Sequence, residues 1–305
     1  MKKTKIICIV GPTASGKTML GIEIAKRFNG EIISADSMQV YKNMPVATAV
    51  ATEEEKQGIP HHLTEFLEIN EKYSVADFVD DAGKKINDIT SRSKLPIVVG
   101  GTGLFVDSLV NGIDFSDTKT DEVLRKELDK LTNEELYSKL MSLDSECAQK
   151  IHPNNRKRVI RAIEICSGGK TKTEQDRLAL KNESPYDALY IAIGYNDREK
   201  LYERINKRVD IMLENGLEKE ARTVYSNAGL TSRQAIGHKE LAGYINGEIS
   251  LDTAVDNLKR ATRNYAKRQL TWFRRNEKIN WLYADEMSKD ELVDKAVGLV
   301  EDFIK

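Results

Sequence analysis

The chain has 305 residues, 40% hydrophobic and 31% charged, with 47 lysines and arginines against 48 acids for a net charge of -1. That balance suits a globular protein of one large domain, or a core carrying an insert. It excludes a chain that is basic throughout, so affinity for nucleic acid has to come from local clusters.

The first ten residues, MKKTKIICIV, have a basic start, but the apolar run passes straight into a glycine loop. Without the small-residue cleavage site of a signal peptide, KIICIV reads as a buried parallel strand. Residues 18 to 28 carry helix formers at apolar spacing. EIISAD is a second strand, a helical stretch covers 75 to 90, and LPIVVGG is a third strand. Alternating strands and helices predict a parallel sheet covered on both faces, with ligands at the carboxyl ends of the strands. Those ends are Gly11, Asp36 and Gly100.

From about residue 114 the chain is charged and helical in period until LYIAIGY at 189 to 195. The expected fold is therefore α/β, a P-loop NTPase-like parallel sheet core with an inserted helical domain. Residues 1–113 and 189–305 form the core, 114–188 the insert, SGGKTKTEQ is a flexible connection within it, and all after the returning strand is helical. No run approaches the ~20 apolar residues of a membrane span. Cys8, Cys147 and Cys166 are odd in number and far apart, as in reduced thiols of the cytoplasm.

GPTASGKT fits the pattern G-x-x-x-x-G-K-[ST] between a strand and a helix. Backbone N–H groups of Gly11, Pro12, Thr13, Ala14, Ser15 and Gly16, proline excepted, can turn toward phosphate oxygens. Lys17 adds a point charge, and the Thr18 hydroxyl can ligate Mg²⁺. The pattern specifies a di- or triphosphate with a metal, and no more. Asp36 closes the second strand, as an outer-sphere metal partner, a general base beside the phosphates, or the cap of a turn. The second glycine turn, GGTG, either places Thr102 to reach the same cleft or is only a tight strand-to-helix turn. His61 and His62 are adjacent, which argues against a metal pair and for a loop histidine bonded to its own backbone.

Basic residues gather in three places. On a helical wheel of 254 to 275, Arg260, Arg263, Lys267 and Arg274 fall within an arc of about 60°. Ala254, Leu258, Ala261, Tyr265 and Trp272 lie nearly opposite, and no acid falls between Asp256 and Glu277. The cationic stripe suits a polyanion. Among the aromatics, Tyr265 and Trp272 are expected in the core, which leaves Phe273 as a stacking surface. Arg156, Lys157, Arg158 and Arg161 open a helix of the insert, and Arg204 and Arg208 are spaced as a clamp on a diphosphate.

With these pieces in place the chain resembles the tRNA dimethylallyltransferase family. The resemblance runs nearly end to end through GPTASGKT, SADSMQVYK, GIPHHL, YSVADF, VVGGTGLF, IHPNNRKRVIRAIEI, RQAIGHKEL and TRNYAKRQLTWFRR. It implies transfer of a dimethylallyl group from dimethylallyl diphosphate to N6 of adenosine 37, next to the tRNA anticodon, with Mg²⁺ as cofactor. It casts Asp36 as general base and Thr102 as the threonine beside the reacting base. Lys17, Thr18 and Arg208 hold diphosphate and metal. Ser37, Met38 and Gln39, Arg125, the stretch Lys157, Arg158, Val159, Ile160 and Arg161, and the stretch Arg233, Gln234, Ala235, Ile236, Gly237 and His238 touch the tRNA anticodon stem-loop. On this resemblance the loop's ligand is the diphosphate of a prenyl donor, in spite of the ATP label the motif invites, and the expected state is a cytoplasmic monomer without a membrane partner.

The family's G-T-A-K-P run appears as Ala47, Thr48, Ala49, Val50 and Ala51, and Phe105 and His238 stand where tyrosine is common. Val50 thus stands where that run has a lysine, one cation fewer toward tRNA. Rival readings of the loop are a small-molecule kinase, a prenyltransferase for free adenine nucleotides, and an RNA-binding module with a relic loop.

Overall fold

The computed structural model describes residues 3–113, 121–181, 183–225, 229 and 231–305. Its contacts divide the chain into two compact units, one of Met1–Val110 with Tyr186–Lys305, the other of Asn111–Pro185. The expected start of the insert at residue 114 lies outside the described residues.

The first unit is built on a parallel sheet of β1 (Thr4–Val10), β2 (Gly30–Ser34), β3 (His61–His62), β4 (Leu95–Gly100), β5 (Tyr186–Gly194) and β6 (Ile279–Tyr283). Their order is β3-β2-β4-β1-β5-β6, which puts β1 between β4 and β5. Its helices in the first half are α1 (Lys17–Arg27), α2 (Pro45–Thr48), α3 (Glu53–Lys56), α4 (Val75–Ser91) and α5 (Gly103–Val110). The second unit holds α6 (Glu122–Leu128), α7 (Asn133–Leu143), α8 (Ser145–Gln149), α9 (Arg156–Ser167) and α10 (Lys172–Lys181). The chain returns to the first unit for α11 (Arg198–Glu214), α12 (Leu217–Tyr225), α13 (His238–Ile245), α14 (Leu251–Phe273) and α15 (Lys289–Ile304).

Alternation along β1 explains the layers. Ile6, Cys8 and Val10 pack with Phe78, Ala82 and Ile86 of α4, Val106 of α5 and Phe273 of α14. Ile7 and Ile9 point the other way, onto Leu20 and Ile24 of α1 and Val293, Ala296 and Val300 of α15. A strand buried on both faces has to be apolar throughout, which is why KIICIV reads as one continuous run.

Two strands were not expected. His61 and His62 form the short edge strand β3 beside β2, in place of a loop. His61 does bond its own backbone, with Nδ1 2.8 Å from the Ile59 carbonyl. β6 pairs with β5 in the region expected to be helical throughout, because INWLY mixes aromatic and polar residues without a clean period and is fixed by its neighbour. β5 also begins at Tyr186, before the expected 189. In the second unit the supposed flexible connection is largely helix. Thr171 and Glu174 exchange backbone and side-chain bonds at 2.9 and 3.1 Å and start α10.

β2 carries a charge into the sheet. Glu31, 2% exposed, accepts from Arg92 at 2.5 and 2.8 Å, from Lys94 at 2.7 Å and meets His62 Nε2 at 2.7 Å. The bonds from Arg92 hold its carboxyl well below the usual carboxylate range, against the opposite pull of burial. A depressed carboxylate stabilises the fold above its ordinary pKa of about 4.3, and that contribution is lost as pH falls below it. Replacing it by a neutral amide strands partly solvated cations. Glu31→Gln should cost about 2 kcal/mol at neutral pH, below the range for fully buried pairs because Arg92 and Lys94 reach solvent. The gap in thermal midpoint between wild type and variant should narrow on acidification below about pH 4, read by thermal denaturation.

Candidate active site

β1 ends where the glycine loop begins, and the loop opens α1. Gly11 has φ 140°, and a Cβ there would lie 2.6 Å from the Ile193 carbonyl of β5, so the exit from the strand requires glycine. Ala14 takes the left-handed region at φ 62°, and its carbonyl accepts from Arg204 Nε at 3.0 Å. Lys17 Nζ folds back onto the Pro12 carbonyl at 2.6 Å. Ser15 Oγ is buried without a hydrogen-bond partner, a polar atom left for a ligand in the hollow of the loop.

The loop forms one wall of a cavity of about 1160 Å³ whose lining includes Lys17, Thr18, Asp36, Gln39, Thr48, Gly101, Arg204, Arg208, Tyr265 and Gln269. Burial pushes the Lys17 ammonium down to about 7; the nearby Arg208 guanidinium adds to this and the Asp36 carboxylate opposes it. Arg208 is likewise lowered by burial, against attraction from Asp36 and Glu55. Two partly buried cations close together lack sufficient counter-charge, and a polyanion entering between them supplies it.

Asp36 and Thr102 meet at the ends of β2 and β4. One Asp36 oxygen accepts from Met38 N at 2.9 Å, so the residue does cap its turn. Thr102 N donates to the Ala35 carbonyl at 3.2 Å, and its hydroxyl accepts from Ser37 N at 3.2 Å. The Tyr265 phenol of α14 bonds Thr102 and Gln269; burial, then the charge of Asp36, raises its pKa. Gln269, one turn on and 5% exposed, accepts from Thr13 N at 2.8 Å and donates to the Gly101 carbonyl at 3.0 Å. Carboxylate, phenol and phosphate loop thus share one cleft, with Thr102 behind its wall, bonded to the phenol.

An IPP transferase family model matches residues 39–276, and an isopentenyl transferase model matches residues 4–66. The chain belongs to the IPP transferase family. A tRNA dimethylallyltransferase of Acetivibrio thermocellus is 50% identical over 95% of both chains, and one of Staphylococcus haemolyticus is 46% identical over 97% of this chain and 91% of that one. A solved tRNA isopentenylpyrophosphate transferase of Staphylococcus epidermidis is 45% identical, with a TM-score of 0.73 over 98% of this chain and 99% of that one. A eukaryotic dimethylallyltransferase acting on tRNA superposes with a TM-score of 0.87 at 32% identity, over 99% of this chain and 79% of its own.

Several residues that the resemblance assigned to tRNA are committed within the fold. Gln39 accepts from Ser34 Oγ at 2.7 Å and donates to the carbonyls of Thr48 and Ala49 at 3.2 and 3.3 Å, shaping the altered segment 47 to 51. Met38 packs with the buried Val40 and Tyr41. Ala235, at 2%, and His238, at 1%, are buried, whereas Arg233 and Gln234 are exposed. Ile236 packs beside Leu217 and Leu241, and Gly237 has φ 116° against Ala47. In the second unit, Val159 and Ile160 belong to the insert's own core, so outward contact along this stretch falls to Lys157, Arg158 and Arg161. Arg125 and Arg161 both bond the buried Glu164, at 2.9 and 3.2 Å. Arg156 is structural and donates to the carbonyls of Leu128, Asp129 and Leu131 at 3.0, 2.8 and 2.7 Å.

The cationic stripe of α14 is also interrupted. Arg260, Lys267 and Arg274 are exposed, but Arg263 turns to Asn206 of α11 at 2.7 Å and lies over the Tyr202 ring. The buried face runs through Ala254, Leu258, Thr262, Ala266, Gln269 and Phe273, rotated from the expected one. Among the aromatics, Phe273 enters the core and is no stacking surface, and Tyr265 lines the cleft. Trp272 packs against the core as expected, half-buried, with its indole donating to Asp107 at 2.7 Å. Sequence reasoning missed Gln269, although it lies in TRNYAKRQLTWFRR, because a glutamine among basic and aromatic residues gives no sign of its burial. It also missed Glu220, which accepts from Val46 N at 2.7 Å, Ala47 N at 2.9 Å and meets His238 Nε2 at 2.8 Å.

Lys17 should carry a charge-assisted share of anion binding. Lys17→Met should weaken inorganic diphosphate roughly 10- to 100-fold by calorimetry. Lys42→Met, which alters only an exposed pair with Glu68, should leave it unchanged.

Proposed function

We propose that this chain transfers the dimethylallyl group of dimethylallyl diphosphate to N6 of adenosine 37, beside the anticodon of tRNA, and releases diphosphate. The observation that carries the reading is the single cleft in which Asp36 faces a phosphate loop flanked by Lys17 and Arg208. A triphosphatase needs its acid poised for a metal or a water. Here an acid and a phenol, backed by Thr102, line the side where an acceptor base would enter.

The loop amides, Lys17 and Arg208 take up charge as the allylic C–O bond breaks and its electron pair leaves with diphosphate. N6 forms the new N–C bond, and Asp36 accepts the proton it loses. Thr102 orients the base, and Tyr265, held neutral at physiological pH, donates or accepts without adding charge. The adenine has to leave the anticodon-loop stack to reach the cleft, and unpaired loop bases are the least costly to extrude.

Thr18 lines the cavity beside the phosphate loop, a place where a Mg²⁺ ion could take one protein oxygen together with phosphate oxygens and water. The Thr18 hydroxyl, with donor oxygens and water, would hold it, and when bound it neutralises charge on the leaving group.

Lys157, Arg158, Arg233, Arg260, Lys267 and Arg274 supply cationic side chains for the anticodon stem-loop, and their grip falls steeply with salt. In this reading the chain works as a cytoplasmic monomer. No helix among the described residues is long and apolar enough to cross a membrane.

The test uses purified protein, Mg²⁺ and labelled dimethylallyl diphosphate, with tRNA or AMP as acceptor. Label should enter tRNA; label entering AMP alone, or neither, rejects the reading. Asp36→Asn keeps an oxygen for the Met38 turn but has no basic carboxylate. Its turnover should fall about 10²- to 10⁴-fold with tRNA affinity within a few-fold of wild type. Near wild-type turnover would remove Asp36 from the role of base.

A further inference from the structure

We infer that Gln269 is a positioning residue for the transfer step, a strut that sets the distance between the leaving-group cradle and the acceptor side of the cleft. The inference rests on the function proposed above.

Gln269 is the buried amide of α14, and each end of its side chain holds a different catalytic loop. Its oxygen accepts from Thr13 N, within the phosphate loop, at 2.8 Å. Its nitrogen donates to the carbonyl of Gly101 at 3.0 Å. Gly101 precedes Thr102, whose own amide and hydroxyl fix Ala35 and Ser37 on either side of Asp36. One side chain therefore spans the gap that the reacting bond must cross. Diphosphate departs toward one of its partners, and the adenine amine arrives beside the other.

The fit is tight. A Cβ at residue 101 would stand 2.1 Å from Gln269 Nε2, closer than any side-chain carbon can approach, so glycine and glutamine are matched. Both bonds on the loop side go to backbone atoms, which makes the strut indifferent to loop side chains and sensitive to loop position. Thr13 N is also occupied by protein, so this amide acts on the phosphate indirectly, through the place it gives the loop. A buried amide that only stabilised the fold would not need to join these two loops. Alignment of reacting atoms is the quantity such a strut controls, and a misplacement of about 1 Å is enough to cost roughly 10²-fold in rate.

The same helix places Tyr265 against Thr102 and presents Lys267 and Arg274 to solvent. α14 thus connects the acceptor side of the cleft, the phosphate loop and part of the cationic surface in one rigid element.

The experiment measures single-turnover transfer to tRNA, with its dependence on each substrate, for wild type, Gln269→Ala, Gly101→Ala and the double variant. Gln269→Ala should lower the single-turnover rate by about 10²-fold and leave the half-saturating concentrations of both substrates within about threefold. Gly101→Ala should lower the rate by displacing the glutamine, and adding it to Gln269→Ala should cost nothing further, because the atom it collides with is gone. Gln269→Glu keeps the acceptor for Thr13 N without the donor for Gly101. It should give an intermediate loss, and it carries the test if the alanine variant does not fold, as judged by thermal denaturation.

A folded Gln269 variant with a wild-type rate overturns the inference. So does a loss confined to substrate affinity, or a double variant whose losses multiply. Absence of label transfer by the wild type would instead overturn the proposed function, and this inference with it.

Discussion

The site depends on holding a loop of backbone amides at the end of a strand that is buried on both faces. β1 pairs with β4 on one side and β5 on the other, and helices cover it above and below. The loop leaves this strand against the Ile193 carbonyl, too close for any side chain at Gly11. Its far side is held by Arg204 at the Ala14 carbonyl and by Gln269 at Thr13 N. An amide cradle stabilises an anion only if it does not relax when the anion arrives. Here the rigidity comes from the sheet beneath and from two helices that reach over it.

Electrostatic strain follows from that placement. Lys17 and Arg208 are both weakened as cations by burial, and Asp36, with Glu55 at Arg208, offsets this only in part. The arrangement is poised for a ligand with more negative charge than one carboxylate. It also explains how one loop type serves different chemistry. The same amides and lysine that grip a phosphoryl donor elsewhere here face an acid and a threonine across the cleft, on the side where an acceptor would enter. The phosphate then becomes a leaving group.

The segment 47 to 51 is held by side chains that lie outside it. Glu220 bonds the amides of Val46 and Ala47, and Gln39 bonds the carbonyls of Thr48 and Ala49. All four of these contacts, one on Val46 and three within the segment, are to backbone atoms, so they do not depend on the segment's own side chains. His238 meets the same Glu220, which therefore joins α13 to this loop.

By itself, the sequence determined what rests on local pattern. The apolar runs of β1, β2, β4 and β5, the glycine loop, the Asp36 turn and a separate helical stretch after the first third are legible because strand burial and loop chemistry follow residue type over a few positions. Tertiary structure decided what rests on partners far along the chain. β3 and β6 exist because β2 and β5 offer edges. Phe273 is buried in the core beside a half-buried Trp272 because α14 is rotated from the face that its apolar residues alone imply. Arg263, Arg125 and Gln39 look available in the sequence and are tied down in the fold, since a hydrogen bond to Asn206, Glu164 or Ser34 leaves no mark on the spacing of residues. Gln269 is the clearest case. A single buried amide, polar on an apolar face, gains its meaning only when two loops more than 150 residues away, at sequence separations of 256 and 168, close around it.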